Sequence, residues 1–291
     1  MPDARKKDKT VVIGLSHDVD TFLTEDSVGR DYSNLESIYR AVREETKKGD
    51  VIAVEMTPWE LEEFRICGRI LRHGIPKNFS LPKKMPLRNR ANVEHFIEQY
   101  KKWGRKDLIK LLPGNTLFFI SLTRFLDLRG HEILPIDRQL RRKAYLPIML
   151  EHGSYKQRIA GEKNEERKRQ LIKEHRLLLG KAFYPSIILG NISMARKIKK
   201  LKEKGKRPRA VLVGSGHAYH LARELVKVGI DARARYADRS REAEMRELAA
   251  EMEEVALEYA AAREREKKSR AKTRNRTEKR KKGIFLTKRR I

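Results

Sequence analysis

Two segments of the chain, 11–17 (VVIGLSH) and 211–217 (VLVGSGH), share one pattern: a run of β-forming residues that ends in Gly-x-x-His. An apolar run that stops at a glycine is typical of a buried strand leaving its sheet. Open α/β sheets bind their ligands at the ends of strands. If the two strands are neighbours, His17 and His217 come together, and two converging imidazoles could hold a metal ion or transfer protons.

Polar groups also follow the other predicted strands. Glu55 comes directly after the apolar run VIAV, and Asp137 and Arg138 follow the run EILPI. Two imidazoles and a carboxylate suit a divalent transition metal that keeps open coordination positions. We therefore predict that His17, Glu55 and His217 hold such an ion.

These residue types also suggest catalytic roles. A bound divalent ion lowers the pKa of water and polarises a carbonyl group, and Glu55 could instead be the general base that takes the water proton. Arg138 is permanently charged and could hold a substrate carboxylate or stabilise an oxyanion. The predicted catalytic residues are His17, Glu55, Arg138 and His217, and the accessory candidates that adjoin them are Gly14, Ser16, Asp18, Asp137, Gly214 and Gly216.

Each candidate also has an ordinary structural interpretation. A histidine after a strand-ending glycine is often a cap or a hydrogen-bonded loop residue. Glu55 could be favoured by the dipole of a helix that begins at Pro58, and Asp137 with Arg138 could form a local ion pair. The hypothesis of one site therefore depends on several strands ending in groups that suit it.

The sequence motifs for other kinds of site are incomplete. Gly214-Ser215-Gly216 precedes a predicted helix and could bind a phosphate, but the third glycine of a dinucleotide fold and the lysine of a P-loop are absent. No nucleophile elbow surrounds a serine. The His-x-x-His pattern ending at His220 lacks a zincin glutamate. Cys67, the single cysteine, is predicted to be a small packed side chain.

The order of apolar and polar segments predicts an α/β fold. Strand, helix and strand follow one another over 11–55, which is the length of a βαβ unit. We expect a mixed, largely parallel sheet flanked by helices, with a charged helical excursion over 156–178. The predicted organisation is a basic lead-in 1–10, an α/β domain 11–240 with an irregular insertion 74–92, and a segment 241–291 of helix and strongly basic tail, helical or disordered.

Composition limits the cellular setting. With one cysteine, an intramolecular disulfide is excluded and a reducing compartment is expected. We find no apolar run of about 18 residues and no signal-peptide pattern. The chain is therefore predicted to be cytoplasmic, without a transmembrane segment, and a homo-oligomer is compatible with it. Abundant Lys, Arg and Glu resemble a thermophile surface.

The excess of positive charge supports an alternative function. The formal net charge is +28, which implies attraction to polyanions such as RNA, DNA or ribosomes. Residues 263–290 are mostly Lys and Arg and cannot bury enough apolar surface to fold alone. In this alternative the chain is a non-catalytic nucleic-acid- or ribosome-associated protein that binds through its tail.

The set of motifs resembles the TraB / Tiki family, within the wider group of erythromycin-esterase-like and ChaN-like proteins. The resemblance rests on Gly14-Leu15-Ser16-His17, Ala53-Val54-Glu55, Asp137-Arg138 and Gly214-Ser215-Gly216-His217, with a helix containing Asn191-Ile192-Ser193-Met194-Ala195 before the last motif. It covers about residues 10–236.

This resemblance implies a mixed α/β domain with the motifs gathered at one site. It also implies a metal-dependent hydrolase of peptide or amide bonds that uses manganese, cobalt or zinc, with an unknown substrate. The chain departs from the family at Asp18, in the basic insertion 74–92, and in a basic tail where many members have membrane segments.

Overall fold

The computed structural model describes residues 9–15, 33–136 and 142–288. Five strands and nine α-helices make up this described part. In chain order they are β1 (Thr10–Leu15), α1 (Ser33–Glu45), β2 (Val51–Val54), α2 (Pro58–His73), α3 (Leu87–Leu111), α4 (Gly114–Leu128), β3 (Glu132–Pro135), α5 (Arg142–Gly161), α6 (Glu165–Phe183), α7 (Leu189–Glu203), β4 (Ala210–Gly214), α8 (Ser215–Lys227), β5 (Ala232–Tyr236) and α9 (Glu242–Lys288).

The strands form one sheet in the order β3-β2-β4-β1-β5, and every described pairing is parallel. This confirms the predicted α/β class. The two strands that carry the Gly-x-x-His pattern are neighbours, with Gly14 paired to Val213 and Leu15 to Gly214. Because parallel strands end at the same edge of a sheet, the two motifs leave it side by side.

Helices cover both faces of the sheet, since successive side chains of a strand point to opposite faces. Val11 and Ile13 of β1 pack with Ile38 and Val42 of α1. Val211 and Val213 of β4 pack on the other face with the helices α7 and α8. Neighbouring strands β1 and β4 therefore send their helices to opposite faces, and their ends form a topological switch point, where open α/β sheets bind ligands.

Glycine 14 lies where β1 passes close to two other elements. A Cβ atom at this position would lie 2.7 Å from Tyr236 Cδ1 and 3.0 Å from Ala218 Cβ. Tyr236 is fully buried on β5, and its hydroxyl donates to the Met245 carbonyl oxygen over 3.3 Å. The glycine of the first motif is therefore required by packing.

The excursion after β3 differs in one respect from the sequence prediction of a helix over 156–178. The helix α5 ends at Gly161 and α6 begins at Glu165, with the side chain of Asn164 accepting from the backbone N–H of Arg167 over 2.9 Å. An asparagine at this position is a favoured helix N-cap. A new helix therefore begins inside the charged run.

Contacts divide the chain into two compact units, Met1–Arg142 with Leu189–Ala249, and Lys143–Ile188 with Ala250–Ile291. The first unit holds the sheet. In the second unit, α6 crosses α9 closely at Gly180, where a Cβ atom would lie 2.6 Å from the carbonyl oxygen of Val255. Arg176 on α6 forms ion pairs with Glu254 and Glu258 on α9. The hydrogen bond from Arg176 to Glu258 lowers the pKa of the Glu258 carboxyl.

One helical stretch of the described chain, Glu165–Glu203, has the length and composition of a membrane span. It comprises α6, a π-helical turn (Tyr184–Ile188) and α7. One third of its most apolar part is buried. Core helices of water-soluble proteins meet the same criteria, so the absence of a transmembrane segment stays a prediction.

Candidate functional site

Glu55 leaves the end of β2 and is held by the neighbouring strand β4. Its backbone N–H donates to the carbonyl oxygen of Leu212 over 2.9 Å, which extends the ladder by one residue. Its side-chain Oε2 accepts from the backbone N–H of Gly214 over 2.8 Å. Gly214 is the last residue of β4 and the N-cap of α8, so the carboxylate lies at a helix N-terminus, which attracts negative charge.

The helix α2 begins with a cap that does not involve Glu55. The Thr57 side chain accepts from the backbone N–H of Glu60 over 3.1 Å, and the Glu60 carboxylate accepts from the backbone N–H of Thr57 over 2.9 Å. This reciprocal capping box satisfies the start of the helix. The Glu55 carboxylate is directed instead toward β4 and α8.

His217 lies in the first turn of α8, because β4 ends at Gly214 and the helix begins at Ser215. The Gly-x-x-His pattern predicts that the strand itself presents this imidazole; the strand ends three residues earlier, and α8 presents it. The ring Nε2 lies 3.3 Å from Glu55 Oε1. Side-chain exposure is 14% for His217 and 24% for Glu55, so the pair is sheltered but reachable from solvent.

Asn191 on α7 is the third member of this cluster. Its Oδ1 lies 2.9 Å from His217 Nδ1, and the residue is only 1% exposed. Its Nδ2 is buried and has no hydrogen-bond partner among the described residues. Buried polar atoms are nearly always paired, so an unpaired amide nitrogen at this position is an unusual feature.

Sequence reasoning used Asn191 only for a family resemblance and missed its contact with the histidine. A signal for it was present, because Asn191, Met194, Ala195 and Ile198 follow the spacing of one buried helical face. Asparagine is mostly exposed in proteins. An amide on an apolar helical face therefore indicates a buried polar partner.

The histidine orientation fits a metal ligand. An amide oxygen only accepts hydrogen bonds, so in this arrangement His217 Nδ1 carries the hydrogen and donates it to Asn191. The Nε2 lone pair then faces the Glu55 carboxylate. Histidines that bind metals commonly donate their other N–H to an oxygen in this way.

The spacing of the two side chains is also compatible with one shared ion. Nitrogen and oxygen ligands bind such ions at about 2.0–2.2 Å, and two of them around one tetrahedral ion lie about 3.4 Å apart; the His217 Nε2 to Glu55 Oε1 distance is 3.3 Å. Within 9–15, 33–136 and 142–288 no group of three or more His, Cys, Asp or Glu side chains could hold a metal. A metal ion at this pair would therefore require a third ligand from outside these ranges.

The remaining predicted site residues fall into two sets. Gly14 is the next-to-last residue of β1, Gly214 is the last residue of the neighbouring strand β4, and Gly216 is in the first turn of α8. Outside the described residues lie His17, the predicted third ligand, together with Ser16, Asp18, Asp137 and Arg138. Their roles stay predictions. The last described residue before the first segment, Leu15, pairs with Gly214. The last described residue before the second, Ile136, donates its backbone N–H to the Val54 carbonyl oxygen over 2.9 Å.

Two other residues that the sequence singled out have structural explanations. His220 is buried, and its Nε2 lies 2.9 Å from the carbonyl oxygen of Ala249. Cys67 is buried in a cluster formed by α2 and its neighbours, as predicted. Burial raises the pKa of the Cys67 thiol to about 12, which keeps it protonated and unreactive at neutral pH.

Comparison of the chain with protein-family models, with curated proteins and with solved structures finds no match.

Proposed function

We propose that this chain is a TraB/Tiki-like metal-dependent hydrolase of peptide or amide bonds. One observation carries the proposal: Asn191, His217, Glu55 and the Gly214 N–H form a continuous row of polar contacts at the sheet's switch point. The order of the motifs along the sequence supports the family assignment.

The residues of this chain have complementary tasks in the proposal. Asn191 fixes the ring of His217 and its tautomer, so that Nε2 is available as a ligand. The Gly214 N–H orients the Glu55 carboxylate, so that its Oε1 lies 3.3 Å from His217 Nε2. A bound manganese, cobalt or zinc ion supplies a Lewis acid and a water of lowered pKa.

The proposal assigns two further roles to residues that follow β1 and β3. His17 completes the ligand set, and what supports this is the pairing of Leu15, two residues before it, with Gly214. Arg138 holds the substrate carboxylate or the developing oxyanion, because its guanidinium keeps its charge. Glu55 either binds the ion or takes the proton from the attacking water.

Metal titration tests the site directly. We expect the full-length protein to bind one Mn²⁺, Co²⁺ or Zn²⁺ at the site in calorimetry, and His217→Ala to weaken this binding at least about 100-fold because a direct ligand is lost. Asn191→Ala removes an orienting partner and should weaken it by about 10- to 100-fold.

The control for metal titration is His95→Ala, since His95 is exposed on α3 and its loss should leave the affinity unchanged. Circular dichroism of each variant reports whether the fold is retained. Equal metal affinity in folded His217→Ala and the parent protein would refute the site.

The net charge favours a second candidate function, binding of RNA, DNA or ribosomes through residues 263–290. The α9 helix continues through this segment to Lys288. We expect binding to a mixed RNA oligonucleotide to fall steeply between 50 and 200 mM salt, because each phosphate contact releases counterions. A variant ending at residue 262 should lose most of the affinity. Unchanged binding by that variant would exclude the tail as the binding segment.

A further inference from the structure

The helix α3 bends at Gly104, where φ is 67°, a backbone conformation that glycine adopts at no steric cost. Residues 101–107, which surround the bend, are all exposed. A helix that lies on a core buries part of each turn, so seven consecutive exposed residues show that this α3 elbow projects away from its unit's core.

Four cations surround the bend: Lys101, Lys102, Arg105 and Lys106. The described residues provide no ion-pair partner for any of them, whereas Asp107 pairs with Lys110 on the following turn over 3.3 Å. Many arginines of the same unit are paired, among them Arg65 with Asp127 over 2.7 Å. The α3 elbow is therefore a local concentration of uncompensated positive charge.

Trp103 lies at the centre of these cations and is 43% exposed. Its indole N–H donates to Gln99 Oε1 over 3.1 Å, and the ammonium of Lys102 lies 4.7 Å from the ring centroid. The N–H bond and the cation–π contact hold the ring in one orientation before any partner arrives. A large aromatic side chain with a fixed exposed surface offers a stacking platform.

We infer that the α3 elbow binds single-stranded nucleic acid, with a base stacked on Trp103 and phosphates contacting the four cations. Aromatic platforms inside basic surfaces are the usual means of binding single strands without sequence preference. A membrane surface fits less well, because Trp103 is the one apolar side chain of 101–107 and insertion needs more apolar area. The inference is independent of the hydrolase proposal, and it adds a polyanion-binding site that is separate from the tail.

Tryptophan fluorescence tests the inference, since the chain has two tryptophans. In the variant Trp59→Phe, Trp103 is the sole reporter; where Trp59→Phe fails to fold, the difference between the parent and Trp103→Phe serves instead. We expect a 15-nucleotide oligo(dT) to quench Trp103 saturably at 50 mM salt. In a binding assay with fluorescein-labelled oligo(dT), the Trp103→Ala variant should bind the oligonucleotide about tenfold more weakly than the parent protein. The Trp103→Phe variant should keep most of the affinity.

Charge variants separate the α3 elbow from the tail. Changing Lys101, Lys102, Arg105 and Lys106 to Gln should lower the slope of log affinity against log salt by about 2–3. The matched change of Arg263, Arg265, Lys267 and Lys268 to Gln should leave Trp103 quenching intact. The inference is overturned if only the tail change abolishes binding, if oligo(dT) leaves Trp103 unquenched, or if phosphatidylserine vesicles shift Trp103 emission while oligo(dT) does not.

Discussion

Replacing Glu55 with Gln is expected to reduce hydrolysis of a fluorogenic peptide library, assayed with Mn²⁺ or Co²⁺, by about 100-fold or more. The glutamine loses the negative charge that faces His217 Nε2, and with it the capacity to accept a proton. Its amide oxygen still accepts from the Gly214 N–H, so the end of β4 keeps its hydrogen bond. The loss should therefore appear in catalysis rather than in stability.

A matched control for Glu55→Gln is Glu63→Gln. Glu63 is also part-buried and bound by two side-chain amides, Asn89 over 2.7 Å and Asn92 over 3.0 Å, and burial raises its pKa. It lies on α2 and takes no part in the site, so Glu63→Gln should retain the parent rate. Calorimetry of Glu55→Gln then assigns the role: weaker metal binding identifies a ligand, unchanged binding a general base. A Glu55→Gln protein with the parent rate contradicts the proposed mechanism.

The second large effect concerns stability. Gly14→Ala is expected to lower the free energy of unfolding by about 2–3 kcal/mol, because overpacking a close-packed core forces neighbouring atoms apart. The added methyl would lie 2.7 Å from Tyr236 Cδ1, and the ring cannot retreat without breaking its contact with the Met245 carbonyl oxygen. Urea denaturation monitored by circular dichroism measures the change.

Two further variants test the cause of the Gly14→Ala effect. Gly153→Ala makes the same chemical change in the helix α5, where the described residues place nothing within 4 Å of the new Cβ, and it should stabilise by about 0.5–1 kcal/mol. Tyr236→Leu opens space beside residue 14. The double variant of Gly14→Ala and Tyr236→Leu should therefore lose less than the sum of the single losses. Full additivity would show that Tyr236 is not the obstacle.

Much of the fold follows from local patterns in the sequence. The apolar runs at 11–15, 51–54 and 210–214 have a glycine at or next to their last position or are followed by a charged residue, and each belongs to a strand of the sheet. The shared motif also predicts that β1 and β4 are neighbours. The order of the other strands depends on which face of the sheet each helix covers. The amphipathic spacing of α1 and α8 is similar and does not indicate which face each helix covers. The switch point between β1 and β4 was therefore not predictable.

The candidate site could be predicted only in part. Glu55 comes directly after an apolar strand and His217 three residues after another, so each stands out in the sequence, and Glu55 Oε1 lies 3.3 Å from His217 Nε2. Asn191 is 26 residues before His217 in the chain and meets it only because α7 packs on the same sheet face as α8. Contacts of this kind depend on the tertiary arrangement of two helices, which no local pattern encodes.

The hydrogen bond from Gly214 to Glu55 has a consequence for dynamics. Proteins open locally with free energies that are smallest at termini, edges and loops and largest in central strands. Glu55 extends β2 by one residue and Gly214 is the last residue of β4, and these two strands lie inside the five-stranded sheet, with β3 on one side and β1 and β5 on the other. Fluctuations that detach an edge strand therefore leave the hydrogen bond between the Gly214 N–H and the Glu55 carboxylate intact. This bond should break only when the centre of the sheet unfolds.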